Sequence, residues 1–350
     1  MLSESAILPV GKLPAHVLAR LLAACTPADP RVIVGPRVGE DAAVLDMGDR
    51  YLVAKSDPIT FAADAIGWYA VHVNANDVAC AGATPRWFLM TLLLPEGAAT
   101  AAMAEAIFDQ VRDACRELGA ELVGGHTEIS AGLDRPILVG TMLGEVAKGA
   151  LVRTAGARPG DLLLLSKGIA IEGMALLARE KTGALREAGV GEAVVGRARE
   201  FLRHPGISVV PEARVAAAAG RAHAMHDPTE GGLATGLHEL AEAAGVGLRV
   251  EGGAIPVLPE CAAICAALGL DPLGTLASGA LLIAAPQDEA DRIAPALAAA
   301  GIVCARIGEV LPASAGRMLV AGGRAGPLPT FARDEVARLF ETRPGRPRAP

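Results

Sequence analysis

The sequence predicts an α+β protein of two blocks of similar size, and three observations predict it. Strand-like runs of period two and helix-like runs of period 3.6 alternate along the 350 residues, with short connections. Hydrophobic residues make up 52% of the chain and charged residues 20%, a globular composition long enough for two cores. A turn-rich connector, AKGALVRTAGARPGD, separates the halves. The chain therefore divides into residues 1–150, 151–330 and a last piece, 331–350, read as a helix and a disordered tail.

In order along the first block, Pro14 opens a helix, PAHVLARLLAAC, because its missing N–H is no loss at a first helical position. Strands follow at RVIVG, AAVLDMG and YLVAKS, then a long apolar helix, AIGWYAVHVNANDVACAGA. The strand RWFLMTLLLP, the amphipathic helix AAMAEAIFDQVRDACRELG and the strands AELVGGHTE and PILVGTMLGEV complete the block. The second block reads as the strand LLLLS, helices around IEGMALLAREK, AVVGRAREFLR and SVVPEARVAAAAG, the turn HDPTEGG and its helix. It ends with GLRVEG, ECAAICAALGL, SGALLIAAP, DEADRIAPALAAAG and VCARIGEV, alternating strand and helix.

Composition excludes several functions. Net charge is -7 and the only basic cluster is the terminal RPGRPRAP, so no strip of Lys and Arg tracks a nucleic-acid backbone. No apolar run reaches the roughly 18 residues a bilayer requires, and MLSESAILPVGKLP lacks the pattern of a signal peptide. The expectation is a cytoplasmic protein with neither nucleic-acid nor membrane partner. The six scattered cysteines then read as small core residues; Cys261 and Cys265 share a helix face, but no second ligand pair lies nearby. The Pro-rich end from Pro344 is expected to be mobile and dispensable.

The familiar phosphate loops are absent: Gly11-Lys12 is followed by Leu13, and no G-x-G-x-x-G follows a strand. Carboxylates and amides stand instead where a structural chain would not want them. Glu40 and Asp41 precede a strand, Asp57 ends one, and His72, Asn74, Asn76 and Asp77 interrupt an apolar helix, where Asn and Asp are poor formers and costly to bury. GGHTE at 124–128 ends another strand. HDPTEGGLA at 226–234 allows two readings: Thr229 as a helix N-cap, or an anion site at a glycine-rich helix start with Asp227 holding a cation. Carboxylates repel phosphate, so beside a polyanion they make sense as Mg²⁺ ligands.

In this order and at these separations, GEDAAVL, SDP, NANDVACAGA, VGGHTE and DPTEGGL resemble the aminoimidazole ribonucleotide (AIR) synthase (PurM-related) superfamily over roughly residues 30–325. From DPTEGGLATGLHELAEAAGVGLRV onward the second block is most similar to the HypE family of hydrogenase-maturation proteins. The resemblance implies an N-terminal domain that pairs with its twofold mate into a β-barrel-like homodimer with ATP at the interface, beside a C-terminal α+β domain. It implies Asp41, Asp57 and Asp77 as metal ligands and Asp227 as the catalytic group near the transferred phosphate. Nucleotide contacts would come from Asn74, Asn76, Gly124, Gly125, His126, Thr127, Lys167, Thr229 and Gly231. ATP and Mg²⁺ would activate an amide, formyl or similar oxygen of a small-molecule or protein-bound acceptor.

The chain departs from these relatives at three places. HypE proteins end in a cysteine that receives a carbamoyl group, whereas here no cysteine follows Cys304; His126 stands where several relatives carry an acid; and SKGIAIEGM has fewer glycines than the family's phosphate loop, leaving Lys167 to supply charge. Two rival readings stay open: a phosphotransferase like thiamine-monophosphate kinase, and a non-catalytic ATP-binding dimer acting as sensor or maturation scaffold.

Overall fold

The structure is a computed structural model that describes Leu8 and residues 11–340; the tail from 341 onward, with the expectation attached to it, lies outside the described residues. A short helix α1 (Ala15–Leu22) leads into strands β1 (Val32–Val34), β2 (Ala43–Asp46) and β3 (Arg50–Ile59). Helix α2 (Ile66–Cys80), β4 (Thr84–Pro95), α3 (Ala101–Leu118), β5 (Glu121–Ser130) and β6 (Ile137–Ala147) complete one open sheet of order β1-β2-β3-β6-β4-β5. Within this sheet β4 and β5 are the parallel pair, and β5 lies at its end with no further strand beside it among the described residues.

Alternation in sequence becomes alternation in burial. On β4 and β6, Phe88, Met90, Leu92, Leu138 and Met142 point into the core, while Trp87, Leu89, Leu93, Val139 and Leu143 sit half-buried on the other face. The core face is covered by α2, all 15 residues of which are buried. The helix can lie this close because β6 carries glycine beneath it. A Cβ on Gly140 would stand 2.5 Å from Asn74 Nδ2, and one on Gly144 2.4 Å from Val78 Cγ1.

The second block begins with β7 (Leu162–Ser166) and helices α4 (Ile171–Glu180), α5 (Thr182–Glu187), α6 (Glu192–Glu200) and α7 (Val210–Ala219). Then come β8 (Ala224–His226), α8 (Gly232–Ala244), β9 (Gly247–Glu251), α9 (Pro259–Leu268), β10 (Leu282–Ala285), α10 (Gln287–Ala299), β11 (Cys304–Leu311), β12 (Arg317–Ala321) and β13 (Arg324–Pro327). The second sheet is also open, in the order β13-β12-β9-β11-β7-β10-β8. A 3₁₀ turn at Val336–Leu339 ends the described chain.

The expected α+β architecture holds, with two corrections to its elements. Within the single chain each sheet is open among the described residues; the barrel-like interface expected of the first sheet is one that forms with a second copy. GGHTE lies inside β5, and β3 runs on through Asp57, because both segments keep ladder partners on β4 and β6. The strands β8, β12 and β13 were not read from sequence: AMH is too short to show a period, and the hairpin's turn is the Gly322-Gly323 pair after a run with little alternation.

Candidate functional site

Three carboxylates from three distant places in the chain converge where the two sheets meet. Asp41 stands just before β2, Asp77 in the last turn of α2 and Asp227 just after β8, and one carboxylate oxygen from each lies within 4.8 Å of the others. Helix, strand end and turn supply one group each, so no single motif could have displayed the set. Asp57 belongs to the same neighbourhood through Lys55, which shares its face of β3: the ammonium lies 3.2 Å from Asp57 and 3.3 Å from Asp77.

The electrostatics show a deficit of positive charge. Burial, with the charges of Asp227, Asp57 and Asp41 adding to it, raises Asp77 well above the usual carboxylate range. Burial and the charge of Asp41 push Asp227 up to about 7. Asp41 goes the other way. Burial opposes its ionisation, but His226 at 2.6 Å, with Lys55 and Lys12, outweighs it and holds the carboxyl low. His226 is itself pinned by Glu239, 3.1 Å from Nε2. One oxygen of Asp227 is buried without a partner among the described residues, and the corresponding oxygen of Asp77 meets only the Lys55 ammonium. Three carboxylates brought this close, one oxygen of them unpartnered, suit a divalent cation such as Mg²⁺.

A cleft of about 350 Å³ opens beside this cluster, lined by Lys12, Asp57, Thr60, Glu172, Glu230 and Ser278 among others. Residues from both blocks form its walls. Lys12 crosses the cleft mouth: its ammonium donates to Thr229 Oγ1 at 3.1 Å and pairs with Glu239 at 3.4 Å, while its backbone N–H donates to Glu230. Burial pushes Glu172 up to about 7.

Several residues expected to touch nucleotide are engaged elsewhere. Asn74 accepts the backbone N–H of Asp57 at 2.8 Å and donates to the carbonyls of Ala70 and Asp57, so it fixes β3 against α2. Asn76 accepts from Val209 N–H and donates to Ile207 C=O, tying α2 to the second block. Both amides are polar clamps in an apolar interface, which is why they interrupt the helix. Lys167 lies 2.7 Å from Glu212 and donates to the carbonyls of Gly206 and Ser208, leaving no free charge for a phosphate loop.

In the HDPTEGG turn, the helix N-cap is Gly231 at φ +82°, a left-handed position suited to glycine, so Thr229 is not the cap. The N–H of Gly231 donates to Asp334 at 2.6 Å. Thr229 and Glu230 instead receive Lys12, and Asp227 joins the carboxylates. Gly124, Gly125, His126 and Thr127 lie on the exposed edge strand β5, with β4 and β6 between them and Asp57 on β3. Within one chain they are not part of the carboxylate site.

Sequence reasoning missed Lys55, Lys12, His226, Glu172 and Glu239. The Lys-x-Asp spacing on a strand, which puts both side chains on one face, was a signal for Lys55. Lys12 was passed over because Gly11-Lys12 fails as a phosphate loop, although the pair does line the cleft.

Fold and site define a two-domain α+β protein with a carboxylate cluster at the seam between its sheets. The chain matches the AIR synthase related protein N-terminal domain over residues 39–146 and the corresponding C-terminal domain over 158–320, and it belongs to that family. It is similar to carbamoyl dehydratase HypE of Cupriavidus necator, 35% identical over 79% of this chain and 78% of the relative. It is also similar to that of Escherichia coli, 30% identical over 78% and 81%. The crystal structure of E. coli HypE superposes with a TM-score of 0.71 at 27% identity, covering 89% of this chain and 96% of that one. A HypE structure in complex with ATP gives 0.66 at 25% identity, over 94% and 98%. Among the described residues no helix is long and apolar enough to cross a membrane.

Proposed function

We propose that this protein is an ATP- and Mg²⁺-dependent enzyme that activates an amide or similar carbonyl oxygen by phosphorylation, in the manner of a dehydratase. The observation that carries the reading is the convergence of Asp41, Asp77 and Asp227, with one oxygen of Asp227 unpartnered, beside a cleft built from both blocks. Relatives named carbamoyl dehydratase, and the ATP-bound HypE structure, support both the nucleotide and an amide-type acceptor.

Mg²⁺ bound by these carboxylates would neutralise phosphate oxygens and spread the charge of transfer; the rest is done by the chain's own groups. Asp41 is held ionised and oriented by His226, which Glu239 fixes in turn. Asp57 and Lys55 border the cluster on the cleft side, and Lys12 stands at the mouth where phosphates would enter. The acceptor is a small molecule or a protein-bound amide.

A homodimer belongs to the same proposal. The edge of β5 is unpaired among the described residues, and the half-buried Leu89, Leu93, Val139 and Leu143 form an apolar face of β4 and β6 that a second copy would cover. Calorimetry with a nonhydrolysable ATP analogue tests the site: binding with Mg²⁺ and none with EDTA is expected. Undiminished affinity without divalent ion, or in Asp41→Ala, overturns it. ADP release measured against candidate amides, thiamine phosphate and buffer alone tests the reaction class.

A further inference from the structure

Helix α2 has a second polar face that the carboxylate site does not use. Trp68, His72 and Asn76 recur every four residues and look toward the segment 202–209, while Val73 and Asp77 lie on the face turned to the cleft and β3. Asn76 is engaged by that segment's backbone. Trp68 and His72 are not. Their rings are 4.4 Å apart at 47°, His72 is 1% exposed, and neither of its nitrogens nor Trp68 Nε1 has a hydrogen-bond partner among the described residues. Three orphaned polar atoms in one place call for a missing partner.

These rings form one side of an open cavity of about 400 Å³, within the range of small-molecule sites. Leu202, Leu258, Ile302 and the exposed Val303 give it apolar walls, with Ser208 and Glu212 polar beside them. Two cations line it, and only one is neutralised. Lys167 is paired with Glu212. The Arg203 guanidinium lies 3.8 Å over the Trp68 ring, and no carboxylate among the described residues pairs with it. Lys167 also holds φ at +55°, a backbone strain that a non-glycine residue keeps only where surrounding structure enforces it and that gathers at ligand sites.

Charge decides what fits. One uncompensated guanidinium, with Glu117 at the rim, favours a monoanion and disfavours a dianion. Planar Arg recognises carboxylate in a fork, and the apolar walls accept a hydrocarbon body. We propose that this cavity binds a small organic monocarboxylate, its body against Leu258 and Val303 and its carboxylate on Arg203. Drawing Arg203 off the Trp68 face uncovers the indole and the imidazole below it, whose N–H groups then find an acceptor.

The test uses fluorescence. The chain has two tryptophans, so Trp87→Phe leaves Trp68 as the only reporter. Benzoate is expected to change its emission saturably below about 10 mM, with benzamide, its neutral counterpart, and phenyl phosphate, a dianion, at least about tenfold weaker. Arg203→Gln in the same background is expected to weaken benzoate at least about tenfold while leaving Mg²⁺–nucleotide binding and the melting temperature unchanged. If that variant does not fold, the salt dependence of benzoate binding to the folded parent replaces it: affinity must fall as ionic strength rises. No saturable change with any probe overturns the site. Equal binding of benzamide, or benzoate binding indifferent to Arg203, overturns the role of the charge. Tighter binding of phenyl phosphate overturns the monocarboxylate.

Discussion

Helix α2 and strand β5 carry the two most polar motifs of the first block, NANDVACAG and GGHTE, and the fold sends them to opposite surroundings. Every residue of α2 is buried between the first sheet and the second block, whereas β5 is exposed over most of its length. On the helix the motif's polar groups are committed, with Asn74 holding β3, Asn76 holding the segment after α6, and Asp77 facing Asp41 and Asp227. On the strand, His126 meets Glu128 at 3.2 Å and Glu128 also accepts from Ser130 Oγ at 2.7 Å, all largely in solvent. Similar chemistry in sequence can therefore act within a chain at one place and be left open toward a second copy at another.

The largest test of this contrast is Asp77→Asn. Mg²⁺-dependent nucleotide binding should fall by about a thousandfold or more, about 4 kcal/mol, in calorimetry. Metal-free stability should hold or rise, because the substitution replaces a carboxyl whose ionised form burial and the neighbouring carboxylates disfavour. Retained affinity would detach α2 from the site and break the comparison at its stronger end.

Next in size is a pH effect at the cleft. Glu172 keeps its proton to about 7 in the folded chain, against an ordinary 4.5. The folded state thus binds more protons between those values. Its contribution is fully present below 4.5 and lost as pH rises through about 7, amounting to about 3 kcal/mol at roughly 1.4 kcal/mol per pH unit. Urea melts of metal-free protein at about pH 5 and about pH 8, with Glu172→Gln flattening the difference, would show it. An unchanged slope in that variant assigns the loss to another group.

Smaller again is Asn76→Ala, which leaves the Val209 N–H and the Ile207 C=O without partners at a buried junction. A loss of about 2 kcal/mol in stability is expected, while nucleotide affinity, measured where the protein is fully folded, stays within about twofold. A large affinity loss would restore the reading of Asn76 as a nucleotide contact.

Much of the fold was legible because it rests on local periodicity. The strands β4 and β6 alternate in sequence as they do in burial, and α2 is too long and apolar to be anything but a covered helix. The carboxylates were legible as a set, since acids and amides inside apolar segments are costly without a ligand or a clamp. Which of the two applies was not. Asn74 and Asp77 share a helix face, yet one bonds backbone and the other faces carboxylates, and that depends on β3 lying beneath them. Lys12 was invisible as a site residue because its partners Thr229 and Glu239 lie over 200 residues away, and the bond from Lys55 to Asp77 likewise joins two separate elements, which no window of sequence displays.

The smallest expected effect is at β5. His126 is 64% exposed on its side chain and its pair with Glu128 is a surface one, so His126→Ala should change the stability of the chain by less than about 0.5 kcal/mol. Its effect on Mg²⁺–nucleotide affinity is the sharper measurement. A strand that serves only as a solvated edge gives no change at any protein concentration. A strand that completes the site of a second copy gives a loss that appears only where light scattering shows the dimer, and Val123→Lys, placed on the same exposed edge, should then abolish dimer and affinity together. Loss of affinity in His126→Ala at concentrations where the protein is monomeric would contradict both, because β4 and β6 separate that side chain from Asp57 within one chain.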